Sequence, residues 1–92
     1  MAFVTRAHVI IHGRVQGVGF RYHTLREALA AGVAGWVRNL PGGSVEAVFE
    51  GPKTNVERVV DWCRSGPGFA SVARVDEEWE DVEPMFKGFN IR

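Results

Sequence analysis

Cysteine is nearly absent. Cys63 stands alone in 92 residues, so no internal disulfide can form, and a reducing, cytoplasmic setting is the simplest expectation. No segment approaches the roughly 20 consecutive apolar residues of a membrane-spanning helix, and the opening Met1-Ala2-Phe3-Val4-Thr5-Arg6 has neither the apolar core nor the cleavage pattern of a leader peptide. Net charge is lacking too: 11 basic and 11 acidic residues cancel, which removes the bulk electrostatics of a nucleic-acid binder or a polybasic membrane protein. Negative charge is missing altogether from the first part of the chain. The first acidic residue is Glu27, and only Arg6, Arg14, Arg21 and Arg26 carry formal charge up to that point. A site built there has a positive field and none of the carboxylates that a hard divalent cation demands, so no metal site is expected.

The length suits one domain over residues 1–92, too short for two cores but long enough to bury one. The acidic residues withheld from the beginning gather late, at Asp76, Glu77, Glu78, Glu80, Asp81 and Glu83. Such a run fits a solvated edge strand kept from pairing by its charge.

Hydrophobic periodicity divides the chain into alternating elements. Ala7 to His12 reads as a strand, with Val9 and Ile11 on one face and His8, Ile10 and His12 on the other. Two histidines on a wet strand face point to ordinary surface chemistry rather than proton transfer. Arg21 to about Ala31 reads as a helix with an apolar stripe of Tyr22, Leu25, Ala28 and Leu29, ended by Gly32. Its His23 is expected to wall the site, since a cationic imidazole is disfavoured at a helix's positive end. Val33 to Leu40 and Val45 to Gly51 follow as strands around the turn Leu40-Pro41-Gly42-Gly43-Ser44. Thr54 and Glu57 resemble a capping box before the helical series Val56, Val59, Val60 and Cys63, where the thiol completes a packing stripe and Trp62 packs beside it. Ser65-Gly66-Pro67-Gly68 breaks that helix. Ala70 to Trp79 is a fourth strand in which Val72 and Val75 lie three apart, the mark of a bulge or a change of face. Phe86 to Ile91 closes the chain as a short strand with Phe89 and Ile91 in phase. The order implies an α+β fold of the ferredoxin-like, split βαβ type: a two-layer sandwich, βαββαβ plus a short C-terminal strand, with an antiparallel sheet and two helices on one face. That fold hosts many activities and names none.

Chemistry concentrates in Ile11-His12-Gly13-Arg14-Val15-Gln16-Gly17-Val18-Gly19-Phe20-Arg21, which joins the first strand to the first helix through three glycines. Glycine permits backbone conformations in which successive N–H groups turn toward one point. The helix start adds its own unpaired N–H groups and dipole. Arg21 adds a planar, permanently charged fork suited to phosphate oxygens. No Gly-Lys-Ser or Gly-Lys-Thr ending is present, and the glycine spacing differs from G-x-G-x-x-G, so neither a nucleoside-triphosphatase loop nor a dinucleotide fingerprint is indicated.

This loop, taken with Gly35-Trp36-Val37-Arg38-Asn39 and the following Gly43-Ser44-Val45 and Gly51, closely resembles the acylphosphatase family, small hydrolases of carboxyl-phosphate bonds, over nearly the whole chain. The resemblance implies a phosphate cradle from the main chain of Val15, Gln16, Gly17, Val18, Gly19 and Phe20, closed by Arg21, with Asn39 positioning the attacking water. Arg14 and the Gln16 side chain are given no chemical step. The implied partner is a small-molecule acyl phosphate, with inorganic phosphate or another small anion able to occupy the cradle. Neither cofactor nor metal is implied, and a cytoplasmic monomer that engages no nucleic acid and no membrane is expected. Two other readings share the pattern. Acylphosphatase-like domains also occur in a hydrogenase-maturation protein that handles carbamoyl phosphate, and the same fold could serve as a module binding a phosphate-bearing ligand or RNA, although RNA binding would call for aromatic pairs on the sheet where His8, Ile10 and His12 stand.

Overall fold

The computed structural model describes residues 3–92; Met1 and Ala2, part of the opening segment read above, lie outside the described residues. Alternation along β1 (Val4–Arg14) separates the two faces of the sheet: Thr5, Ala7, Val9 and Ile11 are buried, while Arg6, His8, Ile10 and His12 are half-buried on the opposite side. The remaining elements follow as α1 (Phe20–Ala31), β2 (Ala34–Asn39), β3 (Val45–Gly51), α2 (Lys53–Cys63), β4 (Ser71–Val82) and β5 (Phe89–Ile91). The sheet order is β4-β1-β3-β2-β5. β3 lies antiparallel between β1 and β2, and β1 antiparallel between β3 and β4, so each βαβ crossover spans one intervening strand. The core between sheet and helices contains Val9, Ile11, Val37, Val45, Phe49, Val56, Val59, Val60 and Cys63. Burial pushes the Cys63 thiol pKa up, so it stays protonated and packs as a small hydrophobe.

The sheet is mixed rather than wholly antiparallel. β5 runs parallel to β2, pairing Gly35 with Phe89 and Val37 with Ile91. Phe89 sets this docking by burying its ring in a stack on Phe49, 5.6 Å between centroids.

The helix stripe of α1 is also rotated from the expected one. Phe20, Thr24 and Ala28 are its buried residues, at i, i+4 and i+8, whereas Tyr22 and Leu29 face solvent. Thr24 can enter the core because its hydroxyl donates to the Phe20 carbonyl at 2.8 Å, leaving its methyl to pack. No capping box forms at α2. The helix starts at Lys53, the Pro52 carbonyl accepts from the N–H groups of Asn55 and Val56, and Thr54 donates only to the Asn55 side chain.

The irregularity in the fourth strand is a bulge. His12 pairs with Arg74 but Gly13 pairs with Val72, so Ala73 is the extra residue and Val72 and Val75 can both pack against the core. Gly13 permits it: a Cβ there would lie 2.1 Å from the Ser71 carbonyl oxygen.

The helix-free face is tiled with charged and hydrogen-bonding side chains. His8 meets Glu46 at 2.7 Å and His12 meets Asp76 at 2.9 Å. Burial pushes the Glu46 carboxyl pKa up, but hydrogen bonds from His8 and Arg38 outweigh it and hold the group below its ordinary value. The most enclosed of these carboxylates is Glu50, whose Oε2 accepts from the Arg6 Nε at 2.7 Å while Oε1 accepts from the N–H groups of Met85 and Phe86 at 2.9 and 3.1 Å. It ties the segment leading into β5 onto the sheet.

Candidate active site

The loop between β1 and α1 is anchored at both ends by core residues. Val15 is 1% and Phe20 2% exposed, and Phe20 packs on Trp62 with ring centroids 5.4 Å apart. Between these anchors the backbone turns through Gly17 and Gly19, at φ 75° and 76°. A Cβ at Gly17 would touch nothing within 4 Å, so conformation rather than space calls for glycine; a side-chain-bearing residue costs about 1–2 kcal/mol in the left-handed region. Gly19 is also the N-cap of α1, which therefore begins one residue earlier than the periodicity suggests.

The result is a run of unused donors. Among the described residues, no main-chain N–H from Gln16 to Tyr22 donates to a protein acceptor; the first to do so is His23, to the Gly19 carbonyl at 3.0 Å. The first turn of any helix leaves such groups free, but here four loop residues extend the run.

Those residues border a cavity of about 240 Å³ lined by Val15, Gln16, Gly17, Gly19, Phe20, Arg21, Tyr22, Asn39 and Ile91. Arg21 and Asn39, 18 positions apart in sequence, thus reach the same space. Val18 does not line it, and its side chain packs against the core instead. His23 is not a wall residue either: it packs edge-on against Tyr22. His8 and His12 lie on the helix-free face and line no part of the cavity. Arg14 is exposed in the last pair of β1 with β4.

No carboxylate lines the cavity, and among the described residues Arg21 is engaged by no ion pair, unlike Arg6, Arg38, Arg64 and Arg74. A permanently charged guanidinium left uncompensated beside free N–H groups attracts an anion. A larger depression of about 410 Å³ lies against Trp79, but Glu57, Glu80 and Asp81 line it and would repel the same ligand.

Asn39 is the last residue of β2, paired with Val45 across the turn. Its position relative to the loop is held by a strut that sequence inspection does not reveal. The Gln16 side-chain amide donates to the Leu40 carbonyl at 2.8 Å and to the Ser44 carbonyl at 2.9 Å. These two residues also close the β2–β3 turn, since Leu40 N–H donates to the Ser44 carbonyl at 2.9 Å. Tyr22 and Ile91 also line the cavity; the periodicity of α1 puts Tyr22 in its apolar stripe instead, and the place of Ile91 depends on the direction of β5.

Fold and cavity together define a small α+β domain in which unpaired loop N–H groups and Arg21 border one carboxylate-free cavity. Residues 7–91 match the acylphosphatase family model. A protein of Thermococcus kodakarensis named acylphosphatase is 54% identical over 86 residues, covering 94% of this chain and 93% of that one. The structure of an acylphosphatase from Coxiella burnetii superimposes with a TM-score of 0.90 at 36% identity, over 98% of this chain and 94% of that one. The chain belongs to the acylphosphatase family and is an enzyme of that type. A full-length HypF structure, in its phosphate- and nucleotide-bound form, shares the fold with a TM-score of 0.84 at 21% identity, but the match spans only 12% of that much longer chain.

Proposed function

We propose that the protein hydrolyses the carboxyl-phosphate bond of small acyl phosphates, releasing a carboxylate and inorganic phosphate, with Arg21 and the main-chain amides of residues 15–20 holding the phosphoryl group and Asn39 orienting the attacking water. The observation that carries this reading is the meeting of Arg21, Asn39 and the unpaired loop N–H groups on one carboxylate-free cavity.

The chemistry asks for little more. A mixed anhydride already has a good leaving group, since a carboxylate departs without a strong general acid. Phosphoryl transfer runs through a loose transition state with charge spread over the equatorial oxygens, so positioning and electrostatics dominate. Fixed N–H donors and a guanidinium stabilise that charge without reorganising. The Asn39 carboxamide holds water in line with the leaving oxygen, acting as a geometric holder rather than a base. As the water oxygen bonds to phosphorus, the bond to the carboxyl oxygen breaks. The water proton passes to a phosphoryl oxygen of the substrate, which accounts for a cavity lined by no carboxylate and no histidine.

In this proposal residues 1–92 act as one domain, a cytoplasmic monomer that needs no cofactor and no metal. Purified protein should hydrolyse benzoyl phosphate in the presence of a chelator, with inorganic phosphate as a competitive inhibitor. Absence of hydrolysis under those conditions overturns the reading.

A further inference from the structure

Two exposed apolar side chains stand on a cavity whose polar chemistry is amide, guanidinium and carboxamide. Tyr22 is 55% exposed and Ile91 is 41% exposed, and both line the anion cavity. The other large apolar side chains left exposed, Phe3, Leu29, Phe69, Trp79 and Met85, all lie elsewhere. Single exposed hydrophobes need no explanation; two that lie far apart in sequence and meet on one small cavity do. Each is also tied to one of the polar groups. Tyr22 directly follows Arg21 in α1, and Ile91 pairs with Val37, two residues before Asn39 on β2.

The Tyr22 ring is braced on its solvent side of the helix. His23 packs against it edge-on with centroids 5.6 Å apart, and the Arg26 guanidinium lies 5.9 Å from its centroid. A ring already held loses little freedom when a ligand packs on it.

We propose that Tyr22 and Ile91 form the acyl subsite and select acyl phosphates whose acyl group is aromatic or branched and apolar over acetyl phosphate. This rests on the hydrolysis proposed above. The acyl group leaves the phosphorus on the side away from the attacking water, and it does not change shape as the bond to phosphorus breaks. Contact with the rim is therefore equal in ground and transition states, so it acts on KM and not on kcat.

The test compares benzoyl phosphate with acetyl phosphate in the wild type, Tyr22→Ala and Tyr22→Phe. An aromatic contact worth about 0.5–1.5 kcal/mol corresponds to roughly two- to tenfold, so Tyr22→Ala should narrow the benzoyl-to-acetyl ratio of kcat/KM by about that factor through KM. Tyr22→Phe keeps the ring and should restore the ratio, and the inhibition constant of inorganic phosphate, which has no acyl group, should move less than twofold throughout. Equal losses on both substrates, a change confined to kcat, or an unchanged ratio overturns the acyl subsite while leaving hydrolysis in place. A wild type that hydrolyses neither substrate overturns the hydrolysis itself, and the subsite with it.

Discussion

The side-chain amide of Gln16 donates to the carbonyl of Leu40 at 2.8 Å, bridging the phosphate-loop candidate to the residue next to Asn39. A second bond from the same nitrogen reaches Ser44 at 2.9 Å. One side chain thus sets the spacing between the run of free amides and the carboxamide proposed to hold water, and reaction rates are sensitive to such spacing at the level of an ångström.

Gln16→Ala should therefore lower kcat by about 10- to 100-fold with a smaller change in KM, because the loop amides remain while Asn39 loses its fixed distance from them. Gln16→Glu should not rescue it, since a carboxylate faces two carbonyls with nothing to donate. Steady-state kinetics of both variants, with circular dichroism to establish folding, check this. Wild-type kcat in folded Gln16→Ala would remove the positioning role.

Glu50 makes a stability prediction of definite sign. Burial pushes its pKa up, but the Met85 amide, the Arg6 side chain and the Phe86 amide outweigh this and hold it below its ordinary 4.5. A carboxyl depressed on folding contributes stability that is fully present above the unfolded value and is lost as pH falls through the folded one. The free energy of unfolding should thus decline as pH drops below about 4.5, and Glu50→Gln should flatten part of that decline. Glu50→Ala leaves two main-chain donors and one guanidinium without their acceptor, for a cost of about 2–4 kcal/mol at neutral pH. Urea unfolding at several pH values measures both effects. An unchanged slope in Glu50→Gln would assign the acid sensitivity to other groups, of which Asp76, held down by His12 and then Arg74, is one.

The fold was legible because its signals are local. Strand alternation in Val45, Ala47 and Phe49 and the helical spacing of Val56, Val59, Val60 and Cys63 both correspond to buried faces. What escaped depends on partners distant in sequence. The anomaly at Val72 and Val75 could be seen but not placed, because a bulge is defined by the register of β1 opposite it. The direction of β5 follows from Phe89 stacking on Phe49, which no period encodes. In α1 a buried threonine and an exposed tyrosine reverse the usual hydropathy assignment. At the site, Arg21 could be singled out as the residue closing the glycine-rich loop and Asn39 only through the resemblance to acylphosphatases, whereas the second use of Gln16, through its side chain, has no sequence signal: its acceptors are carbonyls that every residue carries.

The division of labour proposed for Arg21 and Asn39 is tested most directly by the inhibition constant of inorganic phosphate measured beside turnover in Arg21→Ala and Asn39→Ala. Arg21 is exposed and outside every ion pair among the described residues, so its removal should leave the fold intact. Arg21→Ala should lose both phosphate inhibition and about 100-fold or more in turnover. Asn39→Ala should lose turnover on the same scale yet retain phosphate inhibition near the wild-type value, because its proposed role is to place water and not to hold the anion. A folded Asn39→Ala enzyme that turns over at the wild-type rate, or an Arg21→Ala enzyme that phosphate still inhibits as before, would contradict the account.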